Sequence, residues 1–418
     1  MKATRIPGPV ASASLRPVGL LAGLTLVAWL GCALWPRLLG LLGIYDYGMF
    51  YLDSYAILAA LDAVRAGVDP HAVNGFDSLL RYHIYSDWWL ALRWLGLGRE
   101  HNFLVGSVWV GTFALTAWAT VRPRHWREAL WIAALLVSPP VLLAVNRANN
   151  DLVIFVVLAG CGLAATSAGW GRSLLGVGCL ALATGLKYYP APAALAFLWV
   201  RPGRRMPAVV LVALLAAGLA LASVWPQVPR GRLTVPSGVH VMGAPLWWRD
   251  FGWSDNAAAL PGVLVIVAGA VALTLGRATA GLAERGEPRE RLRAALGALV
   301  LLTCFAAGVN YAYRWIFILW PALWVGRLAA DRSLPGRQRC AARAGCALIG
   351  ICLWLDGGLC VAVNLLPPRD PVWVGHVQQV FRLWTQPLDW LLMILLAGWV
   401  LEGAWASMRE WWAGRPAA

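Results

Sequence analysis

The stretch SLLGVGCLALATGLKYYPAPAALAFLWV, residues 173–200, decides what kind of molecule this chain is. It holds one charge, Lys187, and is bounded by Arg172 and Arg201. Flanking arginines mark the cytoplasmic side of a membrane segment, so both ends belong on one face. Twenty-eight residues are too few for two full crossings, each of which takes about 17–25. A short helical hairpin is therefore expected, turning at LKYYP (186–190), where Pro190 removes an N–H and blocks continuation of the helix. Its tip carries Lys187. A lysine at membrane depth costs about 2.5–3.5 kcal/mol on insertion scales and ordinarily faces a cavity or a partner, unless it snorkels to the interface.

The rest of the chain fits that reading. Of 418 residues 60% are hydrophobic and 13% charged, and the mean hydropathy is +0.64, whereas a soluble protein carries about 25% charged residues. The 26 tryptophans are expected at membrane interfaces. The net charge of +15 does not indicate nucleic-acid binding. Its basic residues lie in short clusters between apolar runs, as in RPRHWRE (122–128), RPGRR (201–205) and RQRCAAR (337–343). The eight cysteines form no CxxC pair or Cys/His metal spacing and read as buried thiols. Lys2, Arg5 and Arg16 precede an apolar stretch too long for a cleaved signal peptide, which reads as a retained first helix.

Apolar runs predict an all-α polytopic membrane protein with about twelve transmembrane helices. They are placed at 18–44, 103–120, 129–145, 151–168, 174–186, 188–200, 206–225, 257–276, 294–309, 315–328, 345–365 and 387–405. Residues 1–405 form a single transmembrane domain and 406–418 a short basic cytoplasmic tail. With both termini cytoplasmic, the arginine-rich loops fall inside and the long loops 45–102, 226–256 and 366–386 face outward as interfacial loops.

Polar residues collect at the outward ends. Asp53 opens an amphipathic stretch in which Ile57, Leu58, Leu61 and Val64 recur at helical spacing, and Gly67 and VDP (68–70) end it. A carboxylate there is favoured by the helix dipole, and Asp is also an ordinary helix-starting residue. Asp46 lies seven residues earlier, about 10 Å away if one helix held both. NRANND (146–151) supplies Arg147, Asn149, Asn150 and Asp151, where capping by Asn149 or Asn150 accounts for only part of the cluster. NYAYRWIF (310–317) brings Arg314 between Tyr311 and Tyr313 at another outward end. Arg314 and Lys187 are two cations able to meet a phosphate. The loop VHVMGAPLWWRDFGWSDN (239–256) adds His240, Asp250 and Asp255 among tryptophans, a mixture that suits stacking on a sugar ring or an aromatic belt. No P-loop, GxSxG, HExxH or compact DxD is present. No cofactor is implied, and no metal site is evident.

Taken in order, DSYAILAALDAVRAGVDPH (53–71), the NND-led segment ending in LKYYP (149–190) and NYAYRW…P (310–321) resemble the GT-C glycosyltransferases that use polyprenyl-phosphate sugars. The likeness is closest to the branch containing the mycobacterial phosphatidylinositol-mannoside mannosyltransferase, and covers residues from about 40 to 330. It implies a hexosyl-, mannosyl- or pentosyltransferase in the bacterial plasma membrane, acting on its outer face. The donor would be a polyprenyl-phosphate sugar and the acceptor a lipid or cell-envelope glycan. The family's catalytic base matches Asp53, with Asp46 retained beside it. With the outward-end residues read above, Lys187, Arg314, Arg147, Asn150, Asp151, Tyr188, Tyr311, His240 and Asp250 stand as candidate substrate or phosphate contacts. Where the family commonly has Tyr after DP, this chain has His71. The competing expectation is a multi-pass transporter or lipid-linked sugar flippase, with Lys187 and Asp151 as pathway charges.

Overall fold

A computed structural model of the protein describes residues 15–44, 48–72, 74–166, 169–199, 206–231, 240–246, 255–275, 281–365 and 371–413. Among the described residues the protein is all-α apart from one two-residue strand pairing. Helix α1 (Arg16–Leu34) starts with Pro17 in its first turn and leads into a short α2 (Arg37–Leu41). Helix α3 (Leu52–Arg65) follows, then a nine-residue 3-10 segment, Asp87–Leu95, and α4 (Asn102–Val121).

α5 (Trp126–Leu136) and α6 (Pro139–Asn146) are two limbs bent by 60°. Pro139 and Pro140 open the second limb, which is where a proline's missing N–H is tolerated. α7 (Asp151–Ala165) and α8 (Trp170–Leu186) pack side by side, and a 3-10 segment, Ala191–Trp199, returns from α8 towards α9 (Met206–Val224). The later helices are α10 (Asp255–Leu275), α11 (Pro288–Ala307), α12 (Leu319–Ala330), α13 (Gly336–Leu365) and α14 (Pro371–Trp412).

Among the described residues five helical segments are long and apolar enough to cross a bilayer: Arg16–Leu34, Arg99–Val121, Met206–Gln227, Gly336–Val361 and Gln379–Trp412. The bent α5–α6 pair makes a sixth if it counts as one span. These mark an integral membrane protein, and they correct the expectation of twelve crossings. α7 has 15 residues, a length of about 22 Å against a hydrocarbon core of about 30 Å. The expected span 315–328 is instead the end of a 3-10 segment, Ala312–Ile318, joined to the 12-residue α12. Both α7 and α12 bury most of their residues inside the protein. Their apolarity answers to protein neighbours rather than to lipid, so it carries no length requirement.

The hairpin expected at 173–200 turns where Pro190 required. α8 ends at Leu186, and Lys187 is extended. Its return limb is a 3-10 segment and not a second α-helix.

Many tryptophans are also core residues. Trp315, Trp320 and Trp399 are fully buried with Phe113, Phe155, Phe197 and Phe317, while Trp94, Trp126, Trp225, Trp384 and Trp412 remain exposed.

Candidate functional site

Three chain junctions converge on one polar cluster, and unsatisfied helix ends explain how. The first amides of a helix and the last carbonyls have no partner within it. Here the amides of Tyr51 and Asp53, opening α3, donate to the carbonyls of Asn146 and Arg147, closing α6, at 3.0 and 2.9 Å. The start of one helix is thereby docked on the end of another. Tyr51, in the left-handed region at φ 61°, lays its ring over Gly106 of α4, where a β-carbon would lie 2.3 Å from it.

α6 closes in a Schellman motif. The amide of Asn149 reaches the Ala144 carbonyl at 2.9 Å, and that of Ala148 reaches Val145 at 3.0 Å. Ala148 occupies the left-handed position at φ 42°, where glycine is usual. The Asn149 side chain then accepts from the amide of Asp151 at 2.9 Å and starts α7. Asn150, the alternative cap, makes no capping bond.

The end of α8 is closed by the first loop. Ser86 Oγ donates to the Gly185 carbonyl at 2.6 Å and Trp89 Nε1 to Leu186 at 3.1 Å. Trp88 lies flat over Gly185, so close that a β-carbon would fall 2.3 Å from the ring. The 310–314 segment is held by antiparallel pairing of Asn310–Tyr311 with Val241–Met242, and by the Ala312 amide on the His240 carbonyl at 3.0 Å.

These supports bring two carboxylates and three cations together. Asp53 accepts from Arg147 Nε at 2.9 Å on Oδ2 and from Nη2 at 2.6 Å on Oδ1, with Asn149 Nδ2 on Oδ2 at 2.6 Å. Asp151 accepts from Lys187 Nζ and from the Tyr189 hydroxyl on the same oxygen. Arg314 Nε stands 3.7 Å from its other oxygen.

Tyrosines join the two pairs. Arg147 sits 5.9 Å from the Tyr311 ring centroid, which stacks on Tyr313 at 5.5 Å. Lys187 Nζ lies 5.8 Å from Tyr313, 5.9 Å from Tyr85 and 5.6 Å from Tyr189. Arg314 lies 4.9 Å from Tyr189, whose edge meets Tyr188.

The arrangement has a direction. The side chains of Asp53 and Asp151 are 3% and 0% exposed, those of Arg147, Lys187 and Arg314 13%, 9% and 11%. The carboxylates form the floor and the cations lie over them. Two negative charges face three positive ones, and some polar atoms are left without a hydrogen-bond partner: both amide atoms of the fully buried Asn150, Asp151 Oδ2, Arg314 Nε and Thr184 Oγ1. Buried polar groups are normally paired. The excess of cations, with Arg314 Nε and Asn150 Nδ2 unpaired, leaves donors that an anion with acceptor oxygens could take. Burial by itself would raise the Asp53 carboxyl, but the bidentate Arg147, the Asn149 amide and the nearby Arg81 together hold it below its ordinary value. Arg81 is itself fixed by Asp77 at 2.8 Å and by the Leu52 carbonyl at 3.0 Å.

Of the residues singled out in the sequence, Asp53, Arg147, Asp151, Lys187, Arg314, Tyr188 and Tyr311 meet here, with Asn150 in the same junction. Asp151, its side chain 0% exposed, bonds Lys187 and lies 3.7 Å from Arg314. His240 lies beside the 310–314 segment, where Nε2 meets the Gly43 carbonyl at 2.6 Å and Cys360 Sγ at 3.3 Å. Asp46 and Asp250 lie outside the described residues. Tyr189, Tyr85 and Arg81 were not anticipated. Tyr189 was available in the LKYYP motif beside Tyr188, whereas nothing in the sequence marks Tyr85. Among the described residues no group of three His, Cys, Asp or Glu side chains could hold a metal ion. No family model, no curated protein and no solved structure matches the chain.

Proposed function

We propose that the chain is a membrane glycosyltransferase of the GT-C type. It would move a hexosyl group such as mannose, or a pentosyl group, from a polyprenyl-phosphate sugar to a lipid or envelope-glycan acceptor on the outer face of a bacterial plasma membrane. One observation carries this reading: two buried carboxylates lie under three cations at the junction of the three stretches whose order resembles that family.

In the proposed reaction Asp53 takes the proton of the acceptor hydroxyl as its oxygen bonds to the anomeric carbon. The bond from that carbon to the phosphate oxygen breaks, and its electron pair leaves on the polyprenyl phosphate. Lys187 and Arg314 offset the charge gained by the departing phosphate. Attack from the face opposite the phosphate inverts the anomeric centre. The ring of tyrosines supplies apolar faces for the sugar and excludes water from the cations.

The deciding measurement is transfer of radiolabelled sugar from a panel of polyprenyl-phosphate sugars, in membranes carrying wild type, Asp53→Asn or Asp46→Asn. Labelling that depends on the donor and is lost in Asp53→Asn is expected. Labelling lost only in Asp46→Asn moves the base to Asp46. No transfer from any donor, together with movement of a lipid or solute by the protein in liposomes, would overturn the enzyme in favour of a transporter.

A further inference from the structure

We infer that Arg147 is a donor-operated latch on Asp53: the anionic donor draws the guanidinium off the carboxylate, so that the base is released only when the donor is in place. The inference rests on the transferase reading and adds to it a coupling between donor binding and base strength.

In the pair as it stands, Asp53 cannot serve well as a base. Both oxygens are occupied, one by Arg147 Nη2 and the other by Arg147 Nε and Asn149 Nδ2. A carboxylate accepting several donors resists protonation. It is also screened, being 3% exposed beneath a guanidinium that is 13% exposed. A ligand entering from outside therefore meets Arg147 before Asp53.

The same geometry gives the guanidinium somewhere to go. A phosphate offers it the same bidentate acceptor edge as the carboxylate. The stacked Tyr311–Tyr313 pair lies beside it, with the Tyr311 centroid 5.9 Å from Arg147 Cζ, close enough for the ring face to support a displaced cation. The Arg147 backbone need not move, because its carbonyl stays bonded to the Asp53 amide and the following turn is closed by two Schellman bonds.

Every other group facing Asp53 is held in place. Asn149 is tied to the start of α7 through Oδ1, Arg81 is held by Asp77 and the Leu52 carbonyl, and Lys187 is held by Asp151. Tyr313 is a buried ring and Tyr85 a half-buried one, and both face the same space. Departure of Arg147 alone thus removes the strongest restraint on protonation, while Arg81 and Asn149 keep the carboxylate oriented and ionised at neutral pH.

The test uses the full chain in lipid nanodiscs and the donor accepted in the transfer assay. The acid limb of kcat/KM for the donor reports Asp53 in the enzyme before the donor binds, and that of kcat reports it afterwards. In wild type the kcat limb should lie at least about one pH unit, a tenfold change in proton affinity, above the kcat/KM limb. In Arg147→Gln the gap should close, because Asp53 is released already, and in Arg147→Lys, which keeps the charge but not the fork, it should narrow. Coincident limbs in wild type, or an undiminished gap in both variants, would overturn the latch and leave the transferase reading intact.

A binding arm separates the two ideas. Calorimetry at pH 5 in two buffers measures proton uptake when farnesyl phosphate or inorganic phosphate binds to wild type and Asp53→Asn. Uptake lost in Asp53→Asn supports the latch even if no sugar donor is turned over, the result in which the transferase reading fails alone. Uptake with farnesyl phosphate only assigns the trigger to a lipid-linked phosphate, and uptake with both assigns it to phosphate as such. Equal uptake in the two proteins overturns the latch.

Discussion

Among the described residues two ionic clusters lie at opposite ends of the same helices, one buried and one partly open to solvent, and they are built differently. Arg147 ends the α5–α6 pair, while Glu128 lies in its first turn; Arg314 precedes α12, while Arg327 lies in its last turn. At the second cluster Arg327 bonds Glu128 at 3.1 Å, Glu290, and the Arg122 carbonyl at 2.9 Å. Arg124 bonds Glu287 at 2.8 Å and Glu290 at 3.1 Å. Here three glutamates face two arginines. Glu128 and Glu290 sit in first turns and Arg327 in a last turn, as the helix dipoles favour. No buried side-chain nitrogen or oxygen of Arg327, Glu128 or Glu290 lacks a partner, and Arg124 and Glu287 reach solvent. The Asp53–Asp151 cluster has the opposite balance and several orphaned atoms. A saturated cluster locks helix ends together, whereas an unsaturated one keeps capacity for a ligand.

The sharpest way to break this contrast is to neutralise one acid in each cluster. Asp53→Asn should lower sugar transfer by about 10²–10⁴-fold, the range for losing a positioned base. Glu290→Gln should change it less than about threefold. Comparable losses in both would mean that the two clusters serve the same structural purpose. Lys187→Met comes next, with a loss of about 10²–10³-fold if Lys187 offsets charge on the departing phosphate. Because that change strands Asp151 as well, Lys187→Met/Asp151→Leu is the companion: restored thermal stability without restored transfer separates chemistry from folding.

Stability should show the reverse ranking. Arg327→Met leaves Glu128 and Glu290 without their main cation, a loss toward the lower end of the about 3–5 kcal/mol typical of breaking a buried pair, because both partners keep some solvent access. Urea or thermal unfolding in detergent would measure it, and transfer per folded molecule should hold. Asp53 gives a pH-dependent counterpart. Its carboxyl is held low in the folded protein, so its stabilising contribution is complete above the unfolded value of about 4 and lost as pH falls through the lower folded value. The stability difference between wild type and Asp53→Asn should be flat from pH 5 to 8 and shrink below 4. A difference that already shrinks between pH 6 and 7 would show the carboxyl to be raised instead.

How far the sequence announces this arrangement depends on what each signal measures. Asp53, Arg147, Asp151, Lys187 and Arg314 stand out because charged residues at the ends of apolar runs have few bland explanations, and five of them meet in space. Hydropathy misjudged the crossings because it measures removal from water, not removal into lipid. α7 and α12 are apolar on nearly all sides because protein surrounds them, and the 3-10 segments at 191–199 and 312–318 leave no period that a helical pattern could reveal. The pairing of Asp53 with Arg147 depends on a backbone dock between α3 and α6, which no side-chain pattern encodes. Tyr189 escaped notice for a simpler reason: adjacent tyrosines in LKYYP look alike in sequence, and it is Tyr189 whose hydroxyl bonds Asp151.

The least visible element is Ala148, and it gives the finest test. Glycine normally marks the left-handed residue of a Schellman turn, and its absence from NRANND hid the form of that turn, although the expected span ends at 145, beside the observed Asn146. An L-residue in that conformation costs about 1–2 kcal/mol. Ala148→Gly relieves this strain but gives up a fully buried methyl group, worth about 0.8 kcal/mol. The net change in stability should stay within about 1 kcal/mol, and transfer should be unaltered because the turn still aims Arg147 and Asn149 at Asp53. Ala148→Val has no such compensation, since a β-branched residue is a genuine outlier at positive φ. If that turn alone positions the pair, Ala148→Val loses both stability and transfer while the Glu290 cluster remains intact. A valine variant with full activity would show instead that the α3–α6 backbone dock is enough to hold Asp53 and Arg147 together.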